Sequence, residues 1–330
     1  MKTFKIQPQD DGVRLNRFLA RVAPGLPGGL MHKYLRERRI KRNGSRCEAS
    51  TRLCAGDELA LYIDDAFFAA PNVRPDFMRA GRELKIIYED HNLAILAKPA
   101  GLLSHGADDS GRTGNSRTGD TLVDRFKRYL FDKGEYRPGD GAAFAPVICN
   151  RLDRGTEGMV VAAKNAEEAR VMNQMIKEGR LQKSYLCAVA GPPPADGRYT
   201  AYLTKDERAN TVSVRKNQTE SAKKIATAIR TVAQKGELSL LEIGLLTGRS
   251  HQIRAHLAFL GCPVLGDAKY GDPKINRRYG LKTQALCAYR LRFCPDPIAD
   301  APLYYLDGQS FTLDEVWFAK KYFGVDCFDR

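Results

Sequence analysis

The chain is predicted to be α+β, with a mixed, largely antiparallel sheet in its main body and a small α/β module at its amino terminus. Three observations carry this. Between residues 83 and 295 strand-like segments far outnumber helical ones, and few are separated by the dozen or more residues that a parallel crossover needs. The first 60 residues hold two helical stripes and a tight-turn hairpin, enough for a unit of their own. Between these regions, residues 66–82 carry Pro71, Pro75 and Gly81 and read as a linker. The expected organisation is therefore a module over 1–65, a linker over 66–82 and a main body over 83–330.

In the module, Leu15, Phe18, Leu19 and Val22 recur at i, i+3, i+4 and i+7, the apolar stripe of a short helix. The breaker run Pro24-Gly-Leu-Pro-Gly-Gly follows, and a second helix turns Leu30, Met31, Tyr34 and Leu35 inward. Asn43-Gly44 marks a tight turn, and the segment from Asp57 to Ile63 reads as a closing strand. From Leu30 to Arg52 there are eight basic residues against two acidic ones, a net +6 that makes a concentrated phosphate-binding surface. Lys33, Arg36, Arg39, Lys41 and Arg42 are its leading candidates.

In the body, Leu84–Tyr88 and Leu93–Ala97 form a predicted hairpin, and Lys98-Pro-Ala-Gly turns the chain sharply. Residues 106–120, rich in Gly, Asp, Ser, Arg and Thr, read as a surface loop, either a contact for a binding partner or a surface insertion. An amphipathic helix spans Leu122–Asp132, and Met159–Ala163 reads as a buried strand. Asn165 caps a helix that buries Ala169, Met172, Met175 and Ile176 and ends at Gly179. Lys183–Ala190, Lys223–Thr231 and Leu238–Leu245 are further strands. Ser250 is expected to cap a helix with Ile253, Leu257 and Leu260 inward. Beyond residue 296 no motif is legible, and Trp317 is expected to pack a last helix within Leu313–Phe323.

Composition narrows the function class. Its 330 residues carry a formal charge of +14, which favours a polyanionic partner, because each neutralised phosphate releases counterions. With 43% hydrophobic and 28% charged residues, the chain reads as a soluble globular protein. There is no apolar run of about 18 residues and no signal-peptide pattern, so a cytoplasmic protein without membrane attachment is expected. The eight cysteines include no Cys-x-x-Cys pair, and His251 and His256 point about 140° apart on a helix. No metal centre is expected.

The stretch richest in chemistry is Asn150-Arg-Leu-Asp-Arg-Gly-Thr-Glu-Gly-Met-Val-Val-Ala-Ala-Lys164, where a turn holds one carboxylate between two guanidinium groups and leads at once into a buried strand. Arg151 and Arg154 favour the ionised carboxylate, so Asp153 is a candidate nucleophile at neutral pH. This stretch resembles the His-Arg-Leu-Asp-Arg signature of the RluA-type pseudouridine synthases. Three further segments agree with that family in order. They are Tyr88-Glu-Asp-His-Asn-Leu-Ala-Ile-Leu-Ala-Lys-Pro-Ala-Gly, Leu181-Gln-Lys-Ser-Tyr-Leu, and Gly248-Arg-Ser-His-Gln-Ile-Arg-Ala-His-Leu with Leu265-Gly-Asp-Ala-Lys-Tyr-Gly. The resemblance spans roughly residues 83–295. It departs at Asn150, where the family has His, and at Gly155-Thr-Glu157, where Asp-x-Ser is common.

The resemblance implies a main body of pseudouridine synthase fold and an enzyme that isomerises uridine in structured RNA without a cofactor. Asp153 takes the role of the nucleophile, adding to the ribose or to the uracil ring. Arg249 is expected to pair with Asp153, and Tyr185 to stack on the base and help remove the proton from carbon 5. Arg151 matches the arginine that fills the place of the extruded base. Lys183 and Arg254 are expected as RNA-backbone or structural contacts, and Ile253 lies either beneath the uracil or in the core. The amino-terminal module resembles the S-four-type RNA-binding domain, which points to large-subunit (23S) ribosomal RNA and to a monomer. A synthase of transfer RNA and a non-catalytic ribosome-assembly factor that kept the fold are the alternatives.

Overall fold

The computed structural model describes residues 1–68, 75–106, 119–138, 144–206, 209, 211–294 and 303–325. Most of the loop expected over 106–120 and the middle of the 66–82 linker lie outside these residues.

The module contains β1 (Lys2–Lys5), α1 (Leu15–Val22), α2 (Gly28–Arg36), β2 (Ile40–Arg42), β3 (Ser45–Arg46) and β4 (Glu58–Leu61). Its strands form an antiparallel sheet in the order β1-β4-β2-β3. Leu15, Phe18 and Leu19 of α1 and Leu35 of α2 are buried against Ile40, Leu59 and Leu61, so this sheet has a core of its own. Asn43 and Gly44 both take positive φ, the left-handed pair of a tight hairpin turn.

The body runs β5 (Lys85–Glu89), β6 (Leu93–Lys98), α3 (Leu122–Asp132), β7 (Val147–Ile148), β8 (Glu157–Ala163), α4 (Ala166–Lys177), β9 (Leu181–Ala190), β10 (Gly197–Asp206), β11 (Thr211–Arg215), β12 (Lys223–Lys235), β13 (Leu238–Leu245), α5 (Gln252–Phe259), α6 (Pro273–Arg278), β14 (Leu286–Phe293) and β15 (Ser310–Thr312). Eleven strands make one sheet, ordered β11-β10-β12-β13-β9-β14-β8-β6-β5, with β15 against β14 and β7 against β8. Among the described residues β14 and β8 form the single parallel pair, so the sheet is mixed and mostly antiparallel.

One face of the sheet packs against α3 and α5 through Leu122, Phe126, Leu130, Ile253 and Leu257. The other face takes Met172 and Met175 of α4, and then Val316, Phe318 and Ala319 from the carboxyl-terminal segment. Thr121 and Asn165 cap α3 and α4, each side chain accepting a backbone N–H three residues on. At the β8–β14 contact Gly158 has φ +120, and a Cβ there would stand 2.4 Å from the backbone of Ala288. Only glycine lets the two strands approach so closely.

Two expectations are corrected here. Ser250 does not cap α5. His251 precedes the helix in a left-handed conformation, and Gln252 Oε1 accepts the backbone N–H of Arg249 instead. The last helix expected over Leu313–Phe323 is a short π-helical turn over Ala319–Phe323, preceded by β15.

Candidate active site

The turn that carries Asp153 is fixed from below before its side chain does anything. Thr156 N donates to the Asp153 carbonyl at 3.0 Å and closes the turn. Leu152 is buried, and both its backbone groups meet Ser104 Oγ, which accepts from Leu152 N at 3.1 Å and donates to Leu152 O at 2.8 Å. Gly101 N donates to the Arg154 carbonyl at 2.7 Å, and Arg154 Nε returns a bond to the Gly101 carbonyl at 3.0 Å. Lys98, wholly buried, sends its ammonium into the same cluster and donates to the carbonyls of Pro99 (3.0 Å), Leu102 (2.8 Å) and Arg154 (3.2 Å). Burial pushes the Lys98 ammonium down to about 8, while Asp153 and Glu157 pull the other way. The Lys-Pro-Ala-Gly turn and the Asp153 turn are thus one hydrogen-bonded unit.

From above, α5 supplies the cation. Arg254 is 6% exposed, and its Nη1 donates to Asp153 Oδ2 at 2.8 Å. The rest of its guanidinium forms a two-pronged pair with Asp267, Nε to Oδ2 at 2.6 Å and Nη2 to Oδ1 at 2.9 Å. Asp267 is itself fully buried and accepts the backbone N–H groups of Lys269 (2.8 Å) and Tyr270 (3.1 Å). Burial raises the Asp267 carboxyl, but the Arg254 guanidinium outweighs it and the net shift is downward. Gly266, at φ +80, makes this loop possible, since a Cβ there would stand 2.1 Å from the Thr283 carbonyl. Asp267 holds the arginine, and the arginine holds Asp153 Oδ2.

The floor is aromatic and apolar. Tyr185 of β9 is buried beside Ile253 in the core under α5 and lies close enough to Asp153 to feel its charge. Burial and that negative charge both raise the Tyr185 hydroxyl, so it stays a neutral phenol near pH 7. Ile253 is buried beside Tyr185, a position that fits both the core and the underside of a base. His251 turns its Nε2 to within 4.0 Å of Asp153 Oδ1, and its Nδ1 meets Tyr270 Oη at 2.9 Å. At the start of β8, Glu157 stands beside the Trp317 indole, and burial pushes its carboxyl up to about 7.

Set against expectation, the ion-pair partner of Asp153 is Arg254 and not Arg249. Arg249 is exposed, and among the described residues its side chain makes no ion pair. Arg254 is correspondingly not an RNA contact: a cation inside the run Ile253 to Leu257, buried throughout, needs buried carboxylates. Arg151 is exposed at the mouth of the turn. Lys183 is half-buried on β9 opposite Leu291, and burial lowers its ammonium. In the module Lys33 and Arg36 are exposed. Arg39 lies over the Tyr34 ring at 4.4 Å and Lys41 over Tyr62 at 5.5 Å. Arg42 is committed to Asp57, Nε to Oδ2 at 2.6 Å, so it braces the hairpin and does not stand free for phosphate as expected.

Lys98, Ser104, His251, Asp267 and Tyr270 escaped the sequence reading as site residues. Asp267 and Tyr270 lie inside the quoted Leu265–Gly271 motif, and Lys98 begins the turn after β6, so their positions were marked but their partners were not.

The sequence profile of one family, described as RNA pseudouridylate synthase, matches residues 92–259, which span both the Asp153 turn and α5. An uncharacterized RNA pseudouridine synthase of Mycoplasma genitalium is 30% identical over 295 residues, 88% of this chain and 88% of that protein. A ribosomal large subunit pseudouridine synthase C of Rickettsia conorii is 30% identical over 272 residues, 79% of this chain and 83% of its own length. An uncharacterized RNA pseudouridine synthase of Aquifex aeolicus is 31% identical over 273 residues, 81% and 79% respectively.

Proposed function

This chain belongs to the RNA pseudouridylate synthase family, and on that premise we propose that it isomerises specific uridines of large-subunit (23S) ribosomal RNA, with Asp153 as the nucleophile. The observation that carries the reading is the carboxylate of Asp153, 28% exposed, with Oδ2 taken by Arg254 and His251 Nε2 4.0 Å from Oδ1. A hydrogen-bonded turn and a buried cation on Oδ2 fix the carboxylate and leave Oδ1 outside that ion pair, which is how a nucleophile is preorganised.

The reaction breaks the glycosidic carbon–nitrogen bond, turns the uracil and rejoins it through carbon 5. Asp153 Oδ1 adds covalently to the nucleoside and is released again, and as the new bond is completed carbon 5 gives up its proton while nitrogen 1 takes one, so the product is an isomer of the substrate. No electron is gained or lost. The target base has to leave the RNA stack at a cost of a few kcal/mol, and Arg151, exposed at the mouth, is placed to fill the gap with its planar guanidinium. Tyr185 offers a ring at the base of the site. Arg249, exposed two residues before His251, is available to the substrate and not to Asp153.

The module over 1–65 is proposed to dock the RNA as an S-four-type domain, through Lys33, Arg36, Arg39 and Lys41. Its support is a separate sheet with its own core and a basic edge. Ribosomal RNA as target draws support from the relatives named as ribosomal large subunit pseudouridine synthases.

The test is to delete the gene, map pseudouridines across total RNA, and complement with wild type or Asp153→Asn. One or more sites in large-subunit RNA are expected to vanish on deletion and to return with wild type alone. Sites lost only from transfer RNA would overturn the ribosomal assignment, and return of the sites with Asp153→Asn would overturn the nucleophile.

A further inference from the structure

The residue in this site without an assigned task is His251. It adopts φ 53 and ψ 16 just before α5, a left-handed conformation that costs a side-chain-bearing residue about 1 kcal/mol or more. Such strain persists only where surrounding contacts hold it. Here they are specific: the imidazole lies edge-on to Tyr270, with ring centroids 5.7 Å apart, and Nδ1 is 2.9 Å from Tyr270 Oη.

The bonds of Tyr270 favour one tautomer of the imidazole. Its oxygen already accepts the backbone N–H of Val212 at 2.9 Å, and its own hydroxyl hydrogen needs an acceptor. His251 Nδ1 is the acceptor in reach. A neutral imidazole that accepts at Nδ1 carries its hydrogen on Nε2. The Nε2–H then faces Asp153 Oδ1 from 4.0 Å, too far for a hydrogen bond between them. Asp153 Oδ2 is engaged by Arg254, so Oδ1 is the oxygen that attacks. A substrate oxygen next to the carbon that Oδ1 attacks would come within reach of Nε2–H.

Resting on the proposed function, we infer that His251 is a second catalytic residue of this site, a neutral hydrogen-bond donor whose Nε2–H engages an oxygen of the target uridine while Asp153 Oδ1 attacks the adjacent carbon, with Tyr270 fixing its tautomer. His251 transfers no proton in this step. It supplies a fixed dipole where charge redistributes, and losing such a donor lowers the rate of the chemical step more than binding.

Neutrality is part of the role. Burial holds the His251 pKa below its ordinary value against the pull of Asp153, while Arg254 and Lys269 push it down further and Asp267 pulls it up. An imidazolium would instead be drawn to Oδ1 and mask the attacking oxygen. Activity should therefore fall on acidification as His251 gains a proton.

The test measures turnover of a saturating RNA substrate by wild type, His251→Leu, His251→Gln, Tyr270→Phe and the double variant His251→Leu/Tyr270→Phe. His251→Leu should lose about 10²- to 10³-fold in kcat, the loss seen when one preorganised donor is removed, with KM for RNA little changed. His251→Gln keeps an N–H at similar reach and should recover much of that loss, with no acidic limb from an imidazole. Tyr270→Phe should be impaired, yet the double variant should be no worse than His251→Leu, because the tyrosine acts through the histidine. Equal damage in the Gln and Leu variants, or additive damage in the double variant, would overturn the inference, as would a Leu variant within about twofold of wild type. If His251→Leu fails to fold, the Gln variant's pH profile decides: an unshifted acidic limb overturns the inference. Wild type inactive on any RNA would overturn the functional reading itself, whereas an active wild type with an active Leu variant overturns this inference alone.

Discussion

At the scale of single residues, the difference between two arginines of one motif decides how the site is built. Arg249 and Arg254 lie five apart, and the motif resemblance points to Arg249 as the partner of Asp153, whereas the pair is made by Arg254. Burial explains the difference, since the pair is made by the arginine inside the apolar helix and the exposed one stays free. Arg254→Gln should therefore destabilise the fold by about 3–5 kcal/mol, because it strands the buried Asp267 carboxylate, and should abolish turnover with it. Arg249→Ala should leave stability within about 0.5 kcal/mol of wild type, as expected for an exposed side chain, and weaken turnover through the substrate alone. Thermal melts of the two variants check this, and a stable Arg254→Gln would contradict the buried pair. Asp153 and Tyr185, which the structure brings near one another, were legible in the sequence because their motifs set them apart. Lys98 and His251 were not, because what makes them special is which carbonyls and which oxygen they meet across the fold.

At the scale of elements, the reading of helices was close where local chemistry dominates. The amphipathic stripe of α3 and the Asn165 cap of α4 give their starts directly, and the observed helices begin there. Strands β10, β11 and β14 were missed for a different reason. In β14 the pairing with β9 shifts between Ala288 and Arg290, so two-residue alternation breaks midway, and Arg290 and Arg292 interrupt the apolar run. β10 and β11 bury few side chains and look polar in sequence. The start of β8 carries a testable consequence. Glu157 has its carboxyl raised by burial from its ordinary 4.5 to about 7, so between these pH values the folded chain binds more protons than the unfolded one. Its contribution to stability therefore falls as pH rises through that window, by about 3 kcal/mol in all. Relative to wild type, Glu157→Gln should gain that amount between about pH 4.5 and 7.5, read by denaturant unfolding. A pH-independent difference would show that the carboxyl is already ionised in the fold.

At the scale of the whole molecule, a main body with a mixed, mostly antiparallel sheet was readable from strand count and the shortness of connections. The way the sheet gathers motifs from residues 98, 153, 185 and 254 around one point was not, because sequence spacing carries no information about strand order. The net charge of +14 includes exposed cations of the module, Lys33 and Arg36 among them, whereas Arg254 at the site is buried. Removing residues 1–65 should therefore weaken RNA binding and flatten its salt dependence, by about 0.7–0.9 in the slope of log K against log salt for each phosphate that is no longer neutralised. Turnover of a short saturating substrate should survive. An unchanged slope would mean that Lys33, Arg36 and Lys41 face only solvent.

The central claim is that Asp153, held by Arg254, attacks uridine in RNA. Rejoining uracil through carbon 5 displaces the hydrogen there, so tritium release from ribosomal RNA carrying 5-tritiated uridine, taken from a strain lacking the gene, reads the reaction directly. Wild type should release tritium to a fixed stoichiometry per RNA molecule. Asp153→Asn, which preserves the shape of the side chain, should bind the same RNA with similar affinity and release none. Release by Asp153→Asn above a few per cent of the wild-type rate would contradict the account.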